Sequence, residues 1–272
     1  MLLSNYHTHS KFCDGNTFLE PMVQKAIELG FSELGFSSHA PYKHKECCLM
    51  KIEDVEEYFS EIKRLKSKYK SEINVLTGFE IDHISGHENY DWFNSPELDY
   101  TLGSVHYIYK KSLDYFFTVD TDQKRFRTDL NRIYSGNIQG LIKDYYFSIR
   151  EMVRNFKPDI LGHMDIVKKF NLSGGYFSEE SAWYKDEIEK TLEDIKTSGT
   201  IIEINTRGYY RGWTKEFYPS NWIINKCIDL NIPMIINVDA HDPIHLKKGV
   251  DCIREVIDYD ALKPFLLDSL AL

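Results

Sequence analysis

The chain has 272 residues, of which 42% are hydrophobic and 14% aromatic, and its formal net charge at pH 7 is −9. This composition supplies enough apolar side chains for a well-filled core, which excludes an intrinsically disordered chain. No long lysine or arginine tract is present, which disfavours nucleic acid as the main partner.

The N-terminus has no basic segment leading into an apolar run, and no apolar stretch reaches the length of a membrane span. We therefore expect neither a signal peptide nor a membrane partner. Five cysteines are present, Cys13, Cys47, Cys48, Cys227 and Cys252. Cys47 and Cys48 are adjacent, which is not the spacing of a zinc knuckle, and we interpret them as loop residues. An odd cysteine count without a signal predicts reduced thiols and a cytoplasmic protein.

A short apolar start, Met1 to Leu3, leads into the sequence His7-Thr8-His9. Residues two apart on an extended strand point to the same face, so His7 and His9 direct two imidazoles at one place. Neutral imidazole is a common ligand of zinc, iron and manganese. Histidines at this spacing also occur without a metal, so the hypothesis depends on what the later strands contribute.

Further along the chain, strands and helices alternate. Thr17 to Glu20 has the spacing of a capping box and predicts a helix that runs to Leu29 and is terminated by Gly30. Further strands are predicted over 34–38, 73–79, 98–105, 159–162, 200–204 and 232–238, and further helices over 53–70, 120–156 with a break at 135–137, 178–196, 221–229 and from 243 onward. This alternation implies parallel strands, and we predict an α/β fold, a closed or nearly closed (β/α) barrel formed by a single domain of residues 1–272.

Nearly every predicted strand ends at a potential metal ligand. The candidates are His7, His9, Asp14, His39, Glu80, His106, His163, Asp239 and His241. A single histidine beside a strand is more often a core residue, but independent occurrences rarely fall at the same end of successive strands. One ion needs three or four ligands, so nine groups indicate two or three ions with a bridging carboxylate.

These motifs resemble those of the PHP superfamily, which is named after polymerase and histidinol phosphatase domains. The similar stretches are His7-x-His9, Cys13-Asp14-Gly15, Ser38-His39, Gly78-Phe79-Glu80, Gly103-Ser104-Val105-His106, Gly162-His163-x-Asp165 and Asp239-Ala240-His241. Glu203-Ile204-Asn205-Thr206 and Tyr218-Pro219-Ser220 are similar to the histidinol-phosphatase branch. The resemblance extends over essentially the whole chain.

The resemblance implies a distorted (β/α)7 barrel with three divalent metal ions (zinc, iron or manganese) at the C-terminal ends of the strands. It assigns His7, His9, Glu80 and Asp239 to the first ion, Glu80 as a bridge with His106 and His163 to the second, and Asp14, His39 and His241 to the third. Some relatives carry a histidine near the position of Asp14, so the identity and occupancy of the third ion stay open.

The activity implied by the resemblance is that of a phosphomonoesterase. Such an enzyme would hydrolyse L-histidinol phosphate to L-histidinol and inorganic phosphate in histidine biosynthesis, by attack of a metal-bound hydroxide. Asp239 or His241 would carry a proton while also binding metal. Arg207 and Arg211 suit phosphate oxygens, which a guanidinium binds bidentately. The alternative for both arginines is a solvated position beside neighbouring aromatic residues.

Two other functions stay open at this stage. One is a different PHP phosphoesterase that acts on nucleotides or DNA 3′ ends, although the chain lacks a basic groove for DNA. The other is a non-catalytic metal-binding module, which the complete set of ligand motifs disfavours. Asp82 and the aromatic loop from Tyr90 to Phe93 are candidates for the substrate pocket, with a packed barrel rim as the alternative for the aromatic residues. The sequence leaves the oligomeric state unknown.

Overall fold

The structure is a computed structural model that describes residues 3–43 and 49–270, so the predicted loop position of Cys47 and Cys48 lies outside the described residues. The strands are β1 Leu3–Asn5, β2 Phe31–Phe36, β3 Asn74–Asp82, β4 Tyr100–Ser104, β5 Tyr107–Lys110, β6 Tyr115–Thr118, β7 Ile160–Leu161, β8 Ile201–Asn205 and β9 Met234–Asn237. The helices are α1 Leu19–Glu28, α2 Val55–Lys68, α3 Gln123–Tyr134, α4 Ile138–Asn155, α5 Asn171–Gly174, α6 Ala182–Ser198, α7 Arg207–Tyr210, α8 Asn221–Leu230, α9 Ile253–Val256 and α10 Tyr259–Leu262.

Seven parallel strands form one sheet in the order β1-β2-β3-β4-β7-β8-β9. Side chains join its two outer strands: Val238 N donates to Asn5 Oδ1 at 2.8 Å, and Tyr6 N donates to Asn237 Oδ1 at 2.8 Å. The two asparagine side chains thus replace main-chain hydrogen bonds between the ends of β1 and β9, where few such bonds join the two strands. The sheet is thus a nearly closed, distorted (β/α)7 barrel, which confirms the predicted fold class.

The barrel interior is apolar at one end and polar at the other. The apolar cluster inside it contains Tyr6, Leu76, Tyr100, Leu102, Ile160, Ile235 and Leu270. The C-terminal segment covers this end, where Leu270 N donates to Tyr6 Oη at 3.1 Å and Leu267 N donates to Met234 O at 2.9 Å. The polar side chains at the carboxyl ends of the strands are therefore buried above an apolar plug.

Two glycines make room for the large ring of Tyr100 inside the barrel. A Cβ added at Gly35 would lie 2.5 Å from Tyr100 Oη, and one at Gly78 would lie 2.5 Å from its Cζ. The ring cannot turn away freely, because Tyr100 Oη donates to Tyr6 O at 2.7 Å. Glycine at these positions therefore sets how closely β2, β3 and β4 can approach.

Helix α1 begins differently from the prediction. Its N-cap is Phe18, and no side chain caps the helix, so the predicted capping box of Thr17 and Glu20 is wrong. Glu20 instead accepts hydrogen bonds from helix α2, at 2.5 Å from Arg64 Nη2, and from Tyr69 Oη at 2.8 Å. The tertiary ion pair uses the carboxylate that a capping box would have directed at the backbone.

The antiparallel hairpin of β5 and β6 was not predicted. It directly follows the loop residue His106, and its strands pack aromatic and β-branched residues such as Ile108 and Phe117 into the core. The predicted helical region after it is confirmed as α3 and α4, with the break at Gly136.

In the described part of the chain, no helix combines the length and apolar character that crossing a bilayer requires. Within those same residues Cys13, Cys227 and Cys252 are free thiols.

Candidate metal centre

The nine predicted ligands lie together at the carboxyl end of the barrel. Seven of them are buried, whereas His39 is partly buried and the Asp14 side chain is 32% exposed. Glu80 lies inside β3 instead of at its end, because the strand continues to Asp82. Its side chain still faces the interior, since it is two residues from Gly78 and so on the same face of the strand.

The first group of ligand atoms surrounds one oxygen of Glu80. Glu80 Oε2 lies 3.3 Å from His7 Nε2 and 3.4 Å from His9 Nε2, and Asp239 Oδ1 lies 3.4 Å from His9 Nε2 and 3.8 Å from His7 Nε2. Ligands about 2.0–2.1 Å from a tetrahedral ion are about 3.3–3.4 Å apart. The four side chains are thus spaced as the ligands of one ion.

The second group surrounds the other oxygen of the same carboxylate. His106 Nε2 and His163 Nε2 are 3.3 Å apart, and Glu80 Oε1 lies 3.1 Å from the latter and 3.6 Å from the former. Ser104 Oγ donates to this oxygen at 2.7 Å, which fixes the carboxylate. Glu80 therefore presents one oxygen to each group, as a bridging carboxylate does.

The third group is looser. Asp14 Oδ2 lies 3.2 Å from His241 Nε2, but Asp14 Oδ1 is 3.9 Å from His39 Nε2, and His39 Nδ1 faces Glu80 Oε2 at 3.1 Å. Arg207 Nη1 lies 2.8 Å from His241 Nε2, where it contacts the same imidazole. The grouping of Asp14, His39 and His241 on one ion therefore stays a prediction.

Two further carboxylates orient the histidines from behind. Glu203 Oε1 accepts a hydrogen bond from His7 Nδ1 at 2.7 Å, and Asp82 Oδ1 accepts one from His106 Nδ1 at 2.8 Å. Each bond fixes the imidazole so that Nε2 faces the ligand group, an arrangement typical of metal-binding histidines. Asp82 thus orients a candidate ligand, and it is not among the residues that line the cavity described below. The role of Glu203 was not predicted, although a carboxylate within the otherwise apolar start of strand β8 is a sequence feature that could have identified it.

The charges of the ligands also favour divalent cations. Burial, together with the nearby charge of His241, lowers the pKa of His9 to about 3. Burial alone would raise the pKa of Glu80, but the positive charges of His39 and His7 hold it well below its usual range. Burial alone would lower the pKa of His7, but the charges of Glu203 and Asp239 raise it well above its usual range, so without an ion this imidazole holds a proton beside the carboxylates. A divalent cation would displace such protons, because neutral imidazoles and ionised carboxylates are the protonation states that bind metal. The residues present therefore fit divalent ions in both geometry and charge.

A narrow cavity opens onto the centre. Besides eight of the nine candidate ligands, its lining includes Asp120, Ile166, Lys169, Arg207, Trp213 and Tyr218. Arg207 Nη1 donates to Asp239 Oδ1 at 2.6 Å, so this arginine contacts one of the candidate ligands, and its role as a substrate contact stays a prediction. Arg211 is exposed and is not part of this lining, nor are the aromatic residues of the loop from Tyr90 to Phe93.

Comparison with known proteins gives consistent results. A family model described as the PHP domain matches residues 5–207. A histidinol-phosphatase of Bacillus subtilis is 26% identical over 253 residues, which cover 86% of this chain and 92% of that protein. A histidinol-phosphatase of Saccharomyces cerevisiae is 25% identical over 317 residues, which cover 99% of this chain and 90% of that protein.

Solved structures match at the level of the fold. The crystal structure of a candidate histidinol phosphatase from Listeria monocytogenes matches with a TM-score of 0.79 and 25% identity, over 92% of this chain and 99% of that one. Histidinol phosphate phosphatase from Lactococcus lactis matches with a TM-score of 0.65 and 20% identity, over 93% of both chains. The barrel described above is therefore shared with both proteins.

Proposed function

This chain belongs to the PHP domain family, and we therefore propose that it is a metal-dependent phosphomonoesterase that hydrolyses L-histidinol phosphate to L-histidinol and inorganic phosphate. The observation that carries this proposal is the similarity to curated histidinol-phosphatases along nearly the whole chain. The Lactococcus lactis structure was solved with zinc, L-histidinol and phosphate, which supports a divalent metal centre and a small phosphorylated substrate here.

Three divalent ions (zinc, iron or manganese) would be held by the nine candidate ligands in the groups given above, with Glu80 as the bridge. When bound, such ions lower the pKa of water towards about 7 and stabilise the charge of the phosphoryl group. The hydrogen bonds of Glu203 and Asp82 hold the imidazoles of His7 and His106 in orientations that would allow both to bind the ions.

Arg207 would bind the phosphoryl group. Its guanidinium lines the cavity and is held by Asp239, so its position is fixed before a substrate arrives. A guanidinium fixed in this way stabilises negative charge with little reorganisation. Arg211 would add a second positive charge from the exposed rim. Asp239 and His241, which contact one another at 3.2 Å, would hold or move a proton.

The proposal predicts a strong preference for one substrate. Metal-replete enzyme should be assayed at equal, subsaturating concentrations of L-histidinol phosphate, an aryl phosphate and a mononucleotide. We expect kcat/KM for L-histidinol phosphate to exceed the other two at least about a hundredfold, a gap of about 2.7 kcal/mol in transition-state binding.

Glu80→Ala purified in parallel serves as the control, because loss of the bridging carboxylate should remove metal and activity together. Near-normal turnover at full metal content in this variant would show that Glu80 is not a bridge, whereas activity without bound metal would come from a contaminating phosphatase. A preference for the mononucleotide would move the protein to another phosphoesterase class, and no turnover at full metal content would favour a metal-binding module.

A further inference from the structure

The hydroxyl group of Tyr218 has no partner in the part of the chain that the structure describes. Tyr218 lines the cavity of the metal centre, yet the residue is only 1% exposed and its Oη makes no hydrogen bond to any described residue. Burial of an unpaired hydroxyl costs free energy, so buried hydroxyls nearly always have a partner. The unpaired hydroxyl therefore indicates a group that binds in the cavity.

The position of this hydroxyl is fixed by the backbone on both sides. Tyr218 N donates to Asn205 O at 3.0 Å, and Asn205 N donates to Tyr218 O at 2.7 Å, which attaches the residue to the end of β8. A Cβ added at Gly208 would lie 2.5 Å from Tyr218 Cε2, so the ring packs directly on the start of α7. The backbone bonds and the contact with Gly208 therefore hold the Tyr218 ring in place, and its hydroxyl stays out of contact with solvent.

A second donor, Lys169, lines the same cavity. Its Nζ donates to Asp120 O and lies 4.2 Å from the centre of the Trp213 ring. The guanidinium carbon of Arg207 lies 5.7 Å from the centre of the same ring. The ring therefore holds two cations beside one cavity, and their mutual repulsion would be relieved by a bound anion.

We propose that Tyr218 and Lys169 are phosphate-binding residues that donate hydrogen bonds to the phosphoryl oxygens alongside Arg207. A phosphoryl dianion has acceptors only, which suits the hydroxyl, the ammonium and the guanidinium in the cavity lining. Of the carboxylates in the same lining, all but Asp120 are candidate metal ligands. This inference rests on the proposed phosphomonoesterase function and adds two residues to its substrate site.

The test uses inorganic phosphate, so that it does not depend on turnover of L-histidinol phosphate. Tm of the metal-replete wild type, Tyr218→Phe and Lys169→Gln is measured over a range of phosphate concentrations, and the rise in Tm gives the Kd. Metal content of each variant is measured at the same time. We expect each substitution to raise the Kd about tenfold or more, since each removes a hydrogen bond to a charged ligand. Without phosphate, Tm of Tyr218→Phe should equal or exceed that of the wild type.

The matched control is Tyr184→Phe, which removes a buried hydroxyl that does have a partner, Tyr146 Oη at 3.1 Å. This variant should have a lower Tm and an unchanged Kd for phosphate. The proposal would be overturned by phosphate affinity within about twofold of wild type in both test variants. It would also be overturned if Tyr218→Phe lowered Tm without phosphate as much as Tyr184→Phe does, because the hydroxyl would then have a structural partner.

Discussion

At the scale of single residues, Glu203 is a buried carboxylate that orients a candidate metal ligand. Its Oε1 accepts from His7 Nδ1 at 2.7 Å and Asn237 Nδ2 at 3.1 Å, and its Oε2 accepts from His163 N at 2.7 Å and Asn205 Nδ2 at 3.0 Å. Four donors therefore occupy the carboxylate. In Glu203→Gln the new amide group would face two donors, so we expect metal affinity to fall about 10- to 100-fold, as measured by competition with a chelator.

Glu187→Gln is the control for this prediction. Glu187 is also buried and pairs with Arg150 at 3.0 Å, but it lies on α6 and contacts no candidate ligand. Its replacement should lower stability and leave metal affinity unchanged. Equal metal affinity in Glu203→Gln and the wild type would show that the hydrogen bond to His7 does not orient the ligand.

At the scale of elements, the close approach of β3 and β4 depends on Gly78. Gly78→Ala would place a methyl group against the Tyr100 ring, which is held by its bond to Tyr6. Overpacking of this kind costs about 1–3 kcal/mol. Glu80 lies two residues after Gly78 on the same strand, so the resulting shift of β3 would also displace Glu80. We expect denaturant unfolding to show the loss of stability and activity to fall with it.

The double variant Gly78→Ala/Tyr100→Leu tests whether the ring causes that strain. Leucine is smaller than tyrosine, so Gly78→Ala should cost less when it is combined with Tyr100→Leu than when it is made alone, and the two effects should not add. Strict additivity would place the strain elsewhere in β3.

At the scale of the whole molecule, the metal centre holds together elements from across the barrel. Its candidate ligands lie just after the first and last strands and within β3, so bound ions should stabilise the entire domain. Removal of each ion by a chelator should lower stability by about 2.7 kcal/mol if the free metal was present at about 100 times its Kd. For a domain of this size the loss corresponds to a fall in Tm of about 5–10 °C.

Calorimetry should show this fall as the shift of one cooperative transition, since we propose that residues 1–272 form a single domain. Addition of the metal should restore the original Tm, which controls for damage by the chelator. Two separate transitions, of which only one responds to the chelator, would contradict the single domain.

The sequence by itself predicted the barrel and the set of candidate ligands. Alternating strands and helices predict parallel strands whose carboxyl ends share one face, and this rule was sufficient to bring His7, Glu80, His106 and His163 together. It succeeded because strand period and chain direction are local properties that the sequence carries directly. The resemblance to a known family then gave the ligands their grouping and an activity.

Only the tertiary structure decided which residues stand behind and beside those ligands. Glu20 does not form the predicted capping box, because its carboxylate accepts hydrogen bonds from Arg64 and Tyr69 instead. Tyr218 and Lys169 follow different strands and reach the cavity through their loops, which no periodicity describes. Local patterns predict the direction of a strand, but the contacts of a loop depend on the packing of residues far apart in the chain, and those contacts exist only once the barrel has closed.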